Sequence, residues 1–486
     1  MAAADSTADV LYQKMKENGI CHICCKRYLY KVDSNEIINK KWFEEDKISS
    51  DGDKIKLKKS NPCIICLDVF SDSVEEVVEK LIQSSEATSY DSDSFIIALI
   101  LPSTCQSREQ KVYAYLKKEF PLLLYENAIT PRLGIKEAWK HRVCPSISKV
   151  INKTLDLKSE LIIQITLVCE DDENANNKKT KKFNSIQTEK MKSELEDSEK
   201  LNVFSLSVPS HQAYCKAVSV RRESIFVAGR YNKFSRTLSQ TPWILSDGER
   251  KTDTSVEEII STNIKKITKS SDSRFSSSGR EDIDVRMLGN GRPFAVELIN
   301  ARISKIPPSV IMSIESEINA IDPDSVFVRD LQIVDRTEMV HLKSGEESKT
   351  KDYCAVCFVE TRDNYENLVK KLPSEPFTIQ QKTPLRVLHR RTVATREKTI
   401  YSLNAQLLNI DYRDVFTLEF SVDGILMKIN LKTQAGTYVK EFMHGDFGRT
   451  LPSLSVMFDE APVDVLALDV TNVEIDWPTP VNYDKS

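Results

Sequence analysis

Between Glu170 and Lys200 the chain is built almost wholly of Asp, Glu, Asn, Lys and Ser, and its only sizeable apolar side chains are Phe183, Ile186, Met191 and Leu195. Such a stretch cannot bury enough surface to offset the entropy of ordering it, so no single core runs through it. The chain therefore reads as an accessory domain over 1–169, a charged linker over 170–200 and a second domain over 201–486. With 486 residues, and roughly 150 per domain, each part is long enough for a core of its own.

The formal net charge of -4 excludes a uniformly basic nucleic-acid binder, so any such binding has to come from local patches. Eleven cysteines are spread along the chain, and Met1-Ala2-Ala3-Ala4-Asp5 has neither the basic start nor the apolar run of a secretory signal. The apolar runs Phe95–Leu101 and Leu161–Cys169 fall far short of the ~18 residues that span a bilayer. These features read as a soluble intracellular protein with reduced thiols, away from any membrane.

In the first part, Cys21-His22-Ile23-Cys24-Cys25 and Pro62-Cys63-Ile64-Ile65-Cys66 form two CxxC pairs separated by a polar insert. Two such knuckles complete a tetrahedron, so Cys21, Cys24, Cys63 and Cys66 are candidate ligands of a structural Zn²⁺; the alternative is four unrelated buried thiols. Cys25 has no assignable role. A catalytic deaminase-type zinc needs His-x-Glu or Cys-x-Glu, and no histidine here is followed two places on by Glu. Ser73-Val74-Glu75-Glu76 reads as a capping box before an apolar stripe of Val74, Val77, Val78, Leu81 and Ile82. Phe95–Leu101 and Leu161–Cys169 read as strands, and Arg108–Phe120 as a helix. The pattern is an α/β module.

In the second part, His211–Trp243 carries Lys216, Arg221, Arg222, Arg230, Lys233 and Arg236 against the one acid Glu223, interleaved with Tyr214, Phe226, Tyr231, Phe234 and Trp243. Cations for phosphates and rings for bases suit RNA, and equally a solvated face over ordinary core aromatics. Ser255-Val256-Glu257-Glu258 caps a helix whose stripe, Val256, Ile259, Ile260, Ile264 and Ile267, is core. Phe294–Ile299, Val326–Ile333 and Tyr353–Val359 read as strands, and a helix over Ser309–Ile321 has Ser309 as its N-cap. Cys354 and Cys357 lie three apart on a strand, face opposite sides and cannot share a metal. Gln381–Thr399 is a second basic patch, with Lys382, Arg386, Arg390, Arg391, Arg396 and Lys398 against Glu397.

The densest stretch is Ser278-Gly279-Arg280-Glu281-Asp282-Ile283-Asp284-Val285-Arg286-Met287-Leu288-Gly289-Asn290-Gly291-Arg292-Pro293-Phe294. Its glycines and proline argue against a regular helix or a central strand. Its charge suits approach to a polyanion, or a solvated turn.

This stretch resembles the signature of a tRNA pseudouridine synthase family, the tenth in the usual numbering, which modifies T-arm uridines in archaea and eukaryotes. Arg230-Tyr231-Asn232-Lys233-Phe234-Ser235-Arg236, Thr383-Pro384-Leu385-Arg386-Val387-Leu388-His389-Arg390-Arg391 and Gly436-Thr437-Tyr438-Val439-Lys440-Glu441-Phe442 also resemble that family. Paired N-terminal CxxC motifs agree with it, although the insert between them is short for a vertebrate member. The resemblance implies an α+β enzyme: a THUMP-like RNA-binding module, then a mixed, mostly antiparallel sheet flanked by helices. It implies isomerisation of uridine to pseudouridine at T-arm positions 54 and/or 55, with no organic cofactor. By the same resemblance Asp282 is catalytic, Lys440 is its cationic partner, Tyr353 stacks on the flipped uracil and Leu466 closes the pocket. Arg230, Tyr231, Lys233, Arg280, Arg292, Arg390 and Arg391 are the candidate RNA contacts. The expected partner is tRNA, with other structured RNAs as further candidates. The expected state is a monomer of the nucleus and cytoplasm, with the mitochondrion as a further compartment. The rival class is a non-catalytic RNA-binding or processing adaptor, as in microRNA processing, which has no need of a carboxylate amid arginines.

Overall fold

The computed structural model describes residues 2–29, 40–43, 61–119, 133–170, 208–342, 349–410 and 423–481. From 171 onward the expected linker lies outside the described residues, as do Phe120 and most of the insert between the CxxC pairs. The chain forms two compact units, Met1–Glu223 and Ser224–Ser486. Among the described residues no helix is long and apolar enough to cross a membrane.

In the first unit, strands β1 (Ser94–Ile100), β2 (Thr154–Leu155), β3 (Leu161–Val168) and β4 (Tyr214–Arg222) form a sheet in the order β2-β1-β3-β4. The β1 strand runs parallel to β2 and β3, and β4 is antiparallel to β3. Strand periodicity puts Phe95, Ile97, Leu99, Leu161, Ile163, Ile165 and Leu167 in the core. Composition places β4 in the second domain, but it belongs to this unit, because β3 would otherwise present a bare row of amides and carbonyls. Helices Asp72–Gln83, Thr104–Glu119 and Ile135–Ile151 belong to the same unit. The first is capped by Ser71, whose hydroxyl accepts from the Val74 amide, rather than by Ser73. Ile135–Ile151 has no counterpart among the elements read from the sequence, because Pro145 stands inside it. Trp139 of that helix is fully buried and donates Nε1–H to the Val69 carbonyl at 3.1 Å.

The second unit is a ten-stranded sheet of β5 (Ile225–Lys233), β6 (Asp272–Ser277), β7 (Val285–Ile299), β8 (Val326–Val334), β9 (Lys351–Glu360), β10 (Phe377–Lys382), β11 (Thr395–Leu407), β12 (Gly424–Thr433), β13 (Thr450–Leu451) and β14 (Val463–Val473). Its order is β13-β10-β11-β12-β9-β14-β7-β5-β8, with β6 on β7. Every pairing is antiparallel except β14 with β7. This is the mixed, mostly antiparallel α+β architecture. Helix Val256–Thr268 is capped by Ser255 as expected, while Pro308–Ile321 begins after Pro307, one turn residue before the expected Ser309.

The glycine-rich stretch corrects one expectation. Residues 278–284 are loop, but Gly289, Gly291 and Pro293 lie inside the long central strand β7. On one edge the strand pairs β14 over Val285–Met287 and then β6 over Phe294–Ile299, and on the other it pairs β5 at Met287 and over Arg292–Leu298, with a bulge, and so a bend, between Met287 and Arg292. At the bend Gly289 has φ +56, and a Cβ there would stand 1.9 Å from the Thr471 carbonyl oxygen, so only glycine fits.

The first basic patch is not one exposed face. Lys216 and Arg221 are exposed on β4, whereas Arg230, Tyr231 and Lys233 are buried in β5 between β7 and β8. Arg230 gives its guanidinium to the carbonyls of Asn290, Gly291, Ile475 and Trp477. Lys233 Nζ donates to the carbonyls of Leu238 (2.8 Å), Asp282 (3.2 Å) and Ile283 (2.8 Å). These cations are spent on backbone, and Lys233 braces the loop that precedes β7.

Burial, partly offset by Glu281 and Asp284, lowers the Lys233 pKa from 10.5 to about 8. As pH rises, the folded state therefore loses this proton before the unfolded state does, and stability grows across that window. Against Lys233→Met, which removes the titration, wild-type stability is expected to rise between pH 8 and 10.5 by up to about 3 kcal/mol, at ~1.36 kcal/mol per unit. Denaturant unfolding of both proteins across that range measures this, and a flat difference would refute it.

Candidate functional site

The loop 278–284 is held from beneath by buried polar side chains. Arg292 and Glu281, both essentially inaccessible, pair at 2.8 Å, and Arg292 also donates to the Ser278 carbonyl at 2.8 Å. Tyr231 donates its hydroxyl to Glu281, and Gln240 donates to the Tyr231 hydroxyl and to the Gly279 carbonyl. Arg236 reaches the Asp284 and Leu468 carbonyls and, with Arg286, holds the Asp469 carboxylate. A buried pair of this kind holds only with every partner in place, which fixes the loop's course.

That course brings Asp282 to a cleft of 950 Å³ whose lining includes Trp243, Arg280, Tyr353, Arg386, Lys440 and Leu468. Asp282 Oδ2 lies 2.9 Å from Arg386 Nη1 and 3.8 Å from Lys440 Nζ. Arg386 is itself anchored through Nε to the buried Glu441 at 2.6 Å. Lys440 sits closer to Asp284, at 2.8 and 2.6 Å from its two oxygens. Burial works against the Asp284 anion, but the Lys440 hydrogen bond and charge outweigh it and leave Asp284 below the usual carboxylate range. Burial, against the pull of Arg292, pushes the Tyr353 phenol up to about 12, so it stays neutral at pH 7.

Several candidate residues thus meet at one place: Asp282, Lys440, Tyr353, Arg280, Arg390 and Arg391 all line the cleft, and Arg280, Arg390 and Arg391 are exposed. Three corrections follow. Arg292, like Arg230, Tyr231 and Lys233, is core and cannot touch RNA from where it stands. Leu466 is the extra residue of a bulge between Val465 and Ala467 on β14; Leu468 and Val470 line the cleft instead. The nearest cation to Asp282 is Arg386 rather than Lys440. Arg386 was visible in the second basic patch, but nothing in sequence spacing pairs it with an aspartate 104 positions away.

The first unit holds a separate cluster. The Sγ atoms of Cys21, Cys24, Cys63 and Cys66 lie within 4.8 Å of one another, and Cys21 and Cys66 are 3.7 Å apart. Thiolates around a tetrahedral ion with ~2.3 Å bonds stand about 3.8 Å apart, so the donor set fits such an ion. Cys24 lies in the first turn of helix His22–Leu29, and the chain after Cys63–Cys66 turns on Leu67 and Asp68, both at positive φ. The buried Arg27 approaches Cys24 Sγ at 3.6 Å and pairs with Glu109, a positive neighbour that suits thiolates. Cys25 is buried beside the cluster and donates its thiol to the Ile20 carbonyl. Among the described residues Cys354 and Cys357 belong to no such cluster.

The family described as "Pus10, C-terminal" matches residues 226–474, and "Eukaryotic Pus10, N-terminal" matches 63–227. The tRNA pseudouridine synthase Pus10 of Xenopus laevis is 37% identical over 433 residues, which cover 86% of this chain and 81% of its own. The putative enzyme of Drosophila melanogaster is 34% identical over 98% of both chains, and that of Thermofilum pendens is 36% identical over 53% of this chain and 54% of its own. A chain of a Cbf5-Nop10-Gar1 complex overlaps 50% of this chain and 48% of its own, with 14% identity and a TM-score of 0.26. Both halves of the sequence carry the likeness, and the chain belongs to the Pus10 family and is an RNA pseudouridine synthase.

Proposed function

We propose that this enzyme isomerises uridine to pseudouridine in the T arm of tRNA, at position 54 and/or 55, with Asp282 as the catalytic carboxylate. The observation that carries the reading is the Asp282 oxygen, presented to the cleft by a buried scaffold and met there by Arg386 and Lys440. A carboxylate so placed can attack the nucleoside or stabilise positive charge as the N1–C1′ bond breaks. The base then turns within the cleft and C5 bonds to C1′. On this reading the Tyr353 ring stacks on the flipped uracil, and its place in the cleft lining and its neutral phenol support that role. Arg280, Arg390 and Arg391 supply phosphate contacts at the cleft. The likeness to enzymes named for tRNA supports the choice of substrate.

The first unit, on this reading, is a THUMP-like RNA-binding module stapled by one Zn²⁺ on Cys21, Cys24, Cys63 and Cys66. Four thiols drawn from two segments far apart in the chain would be joined by the ion, in addition to the core that Ile20 and Ile23 share with Ile64 and Ile65, so the ion contributes folding energy.

Asp282→Asn keeps shape and removes the charge. It is expected to lower pseudouridine formation by at least on the order of a hundredfold while tRNA still binds. Asp284→Asn releases Lys440 toward Asp282 and is expected to cost no more than about tenfold, the low end of the worth of one charged hydrogen bond. Pseudouridine mapping on tRNA treated with each purified variant decides this; turnover by Asp282→Asn near the wild-type level would refute the role. Metal analysis is expected to find about one zinc per chain, and Cys63→Ser to unfold the first unit while the second keeps its melting transition. Protein purified without zinc and with an intact first unit would refute the staple.

A further inference from the structure

One turn outside the cleft is built at a cost that the fold does not recover. Gly445, Asp446, Phe447 and Gly448 have φ of +82, +46, +55 and +80 in succession. The left-handed region costs an L-residue roughly 1–2 kcal/mol, and glycine escapes that cost. Aspartate can bond locally to offset it, and here Asp446 is buried with Oδ2 accepting from the Leu385 amide at 3.2 Å. Phe447 has no polar atom with which to do so, and its ring is 95% exposed, so packing does not offset the strain either. Strain of this kind, held in place by its surroundings, marks a functional position.

The turn is stitched to one segment. Arg449 donates through Nε and Nη2 to the Thr383 carbonyl, and the Lys382 amide donates to the Arg449 carbonyl. That segment leads directly to Arg386 on Asp282 and to Arg390 and Arg391 at the cleft. Between 382 and 391 it carries four cations, Lys382, Arg386, Arg390 and Arg391, and no acid. Leu385 and Leu451 near the turn are also about half exposed. A bare ring among cations fits a base face flanked by phosphates. Phe447 is not part of the cleft lining, so the base it meets is not the one being isomerised.

We infer that Phe447 is a second base-binding point, a platform on which an unpaired nucleobase of the RNA substrate stacks outside the cleft. This rests on the reading of the chain as an enzyme that acts on tRNA. The test uses the full chain and an unmodified tRNA transcript, with affinity read by fluorescence anisotropy. Phe447→Ala is expected to weaken binding about 5- to 150-fold, the range for one stacked base, and Phe447→Tyr to stay near wild type. Phe447→Gly is expected to bind as poorly as Phe447→Ala but to melt no lower than wild type, because glycine relieves the strain. Alanine binding within about twofold of wild type overturns the inference, and is the result that a protein-docking turn would give. Phe447→Leu binding as well as Phe447→Tyr overturns stacking, and a drop in melting temperature for Phe447→Ala would mean the ring is packed. Wild-type protein that fails to bind the transcript overturns this inference and the reading beneath it together; equal binding by wild type and variants overturns this one alone.

Discussion

The second unit turns on the ion pair between Arg292 and Glu281, both inaccessible to water and 2.8 Å apart. A charge at such depth survives only if its partner and remaining lone pairs are all engaged, and removing one member typically costs about 3–5 kcal/mol. Glu281 answers to Arg292 and Tyr231, and Arg292 also to the Ser278 carbonyl. The residues on either side of Glu281 are Arg280, exposed at the cleft, and Asp282, facing Arg386. The alternation is thus a division of labour within one tripeptide, in which the middle residue is an anchor and its neighbours face the cleft.

The same economy appears in the cations. The motif Arg230 to Arg236 is rich in charge, yet Arg230 and Lys233 are consumed by backbone carbonyls, and Arg236 by Asp469 and two carbonyls. Their acceptors lie in the bulge of β7 at Asn290 and Gly291, in β14 at Leu468 and just after it at Ile475 and Trp477, and in the loop between β6 and β7. The exposed positive charge of the cleft comes instead from Arg280 and from Arg390 and Arg391.

Much of this was legible beforehand, for specific reasons. The Asp282 stretch is long and unusual in composition, and the CxxC spacing has a geometric meaning, so each pointed to residues that the structure brings together, Asp282 with Lys440 at the cleft and the four cysteines in one cluster. The helix after Ser255 shows its cap and its stripe together. What failed was the inference from charge to exposure. Arg230 and Lys233 follow the apolar run Ile225–Gly229 on a strand flanked on both sides, and a basic side chain there is carried into the core with the rest. Gly289, Gly291 and Pro293 read as loop because a strand that bulges between Met287 and Arg292 looks locally like a turn. Arg386 escaped assignment because its meeting with Asp282 is set by the sheet order and by no spacing along the chain.

That sheet order has a temporal side. Strand β14 is the last of the ten in sequence, yet it lies in the middle, antiparallel to β9 and parallel to β7. Before it is made, β5 to β8 can pair among themselves and β9 to β13 can do likewise, but the two halves have no seam. Arg236 and Arg286 have no Asp469 to hold, and the cleft lacks Leu468 and Val470. During synthesis on the ribosome the two half-sheets therefore wait with open edges, which other chains could pair with. Completion of the cleft therefore depends on this last strand taking its place between them.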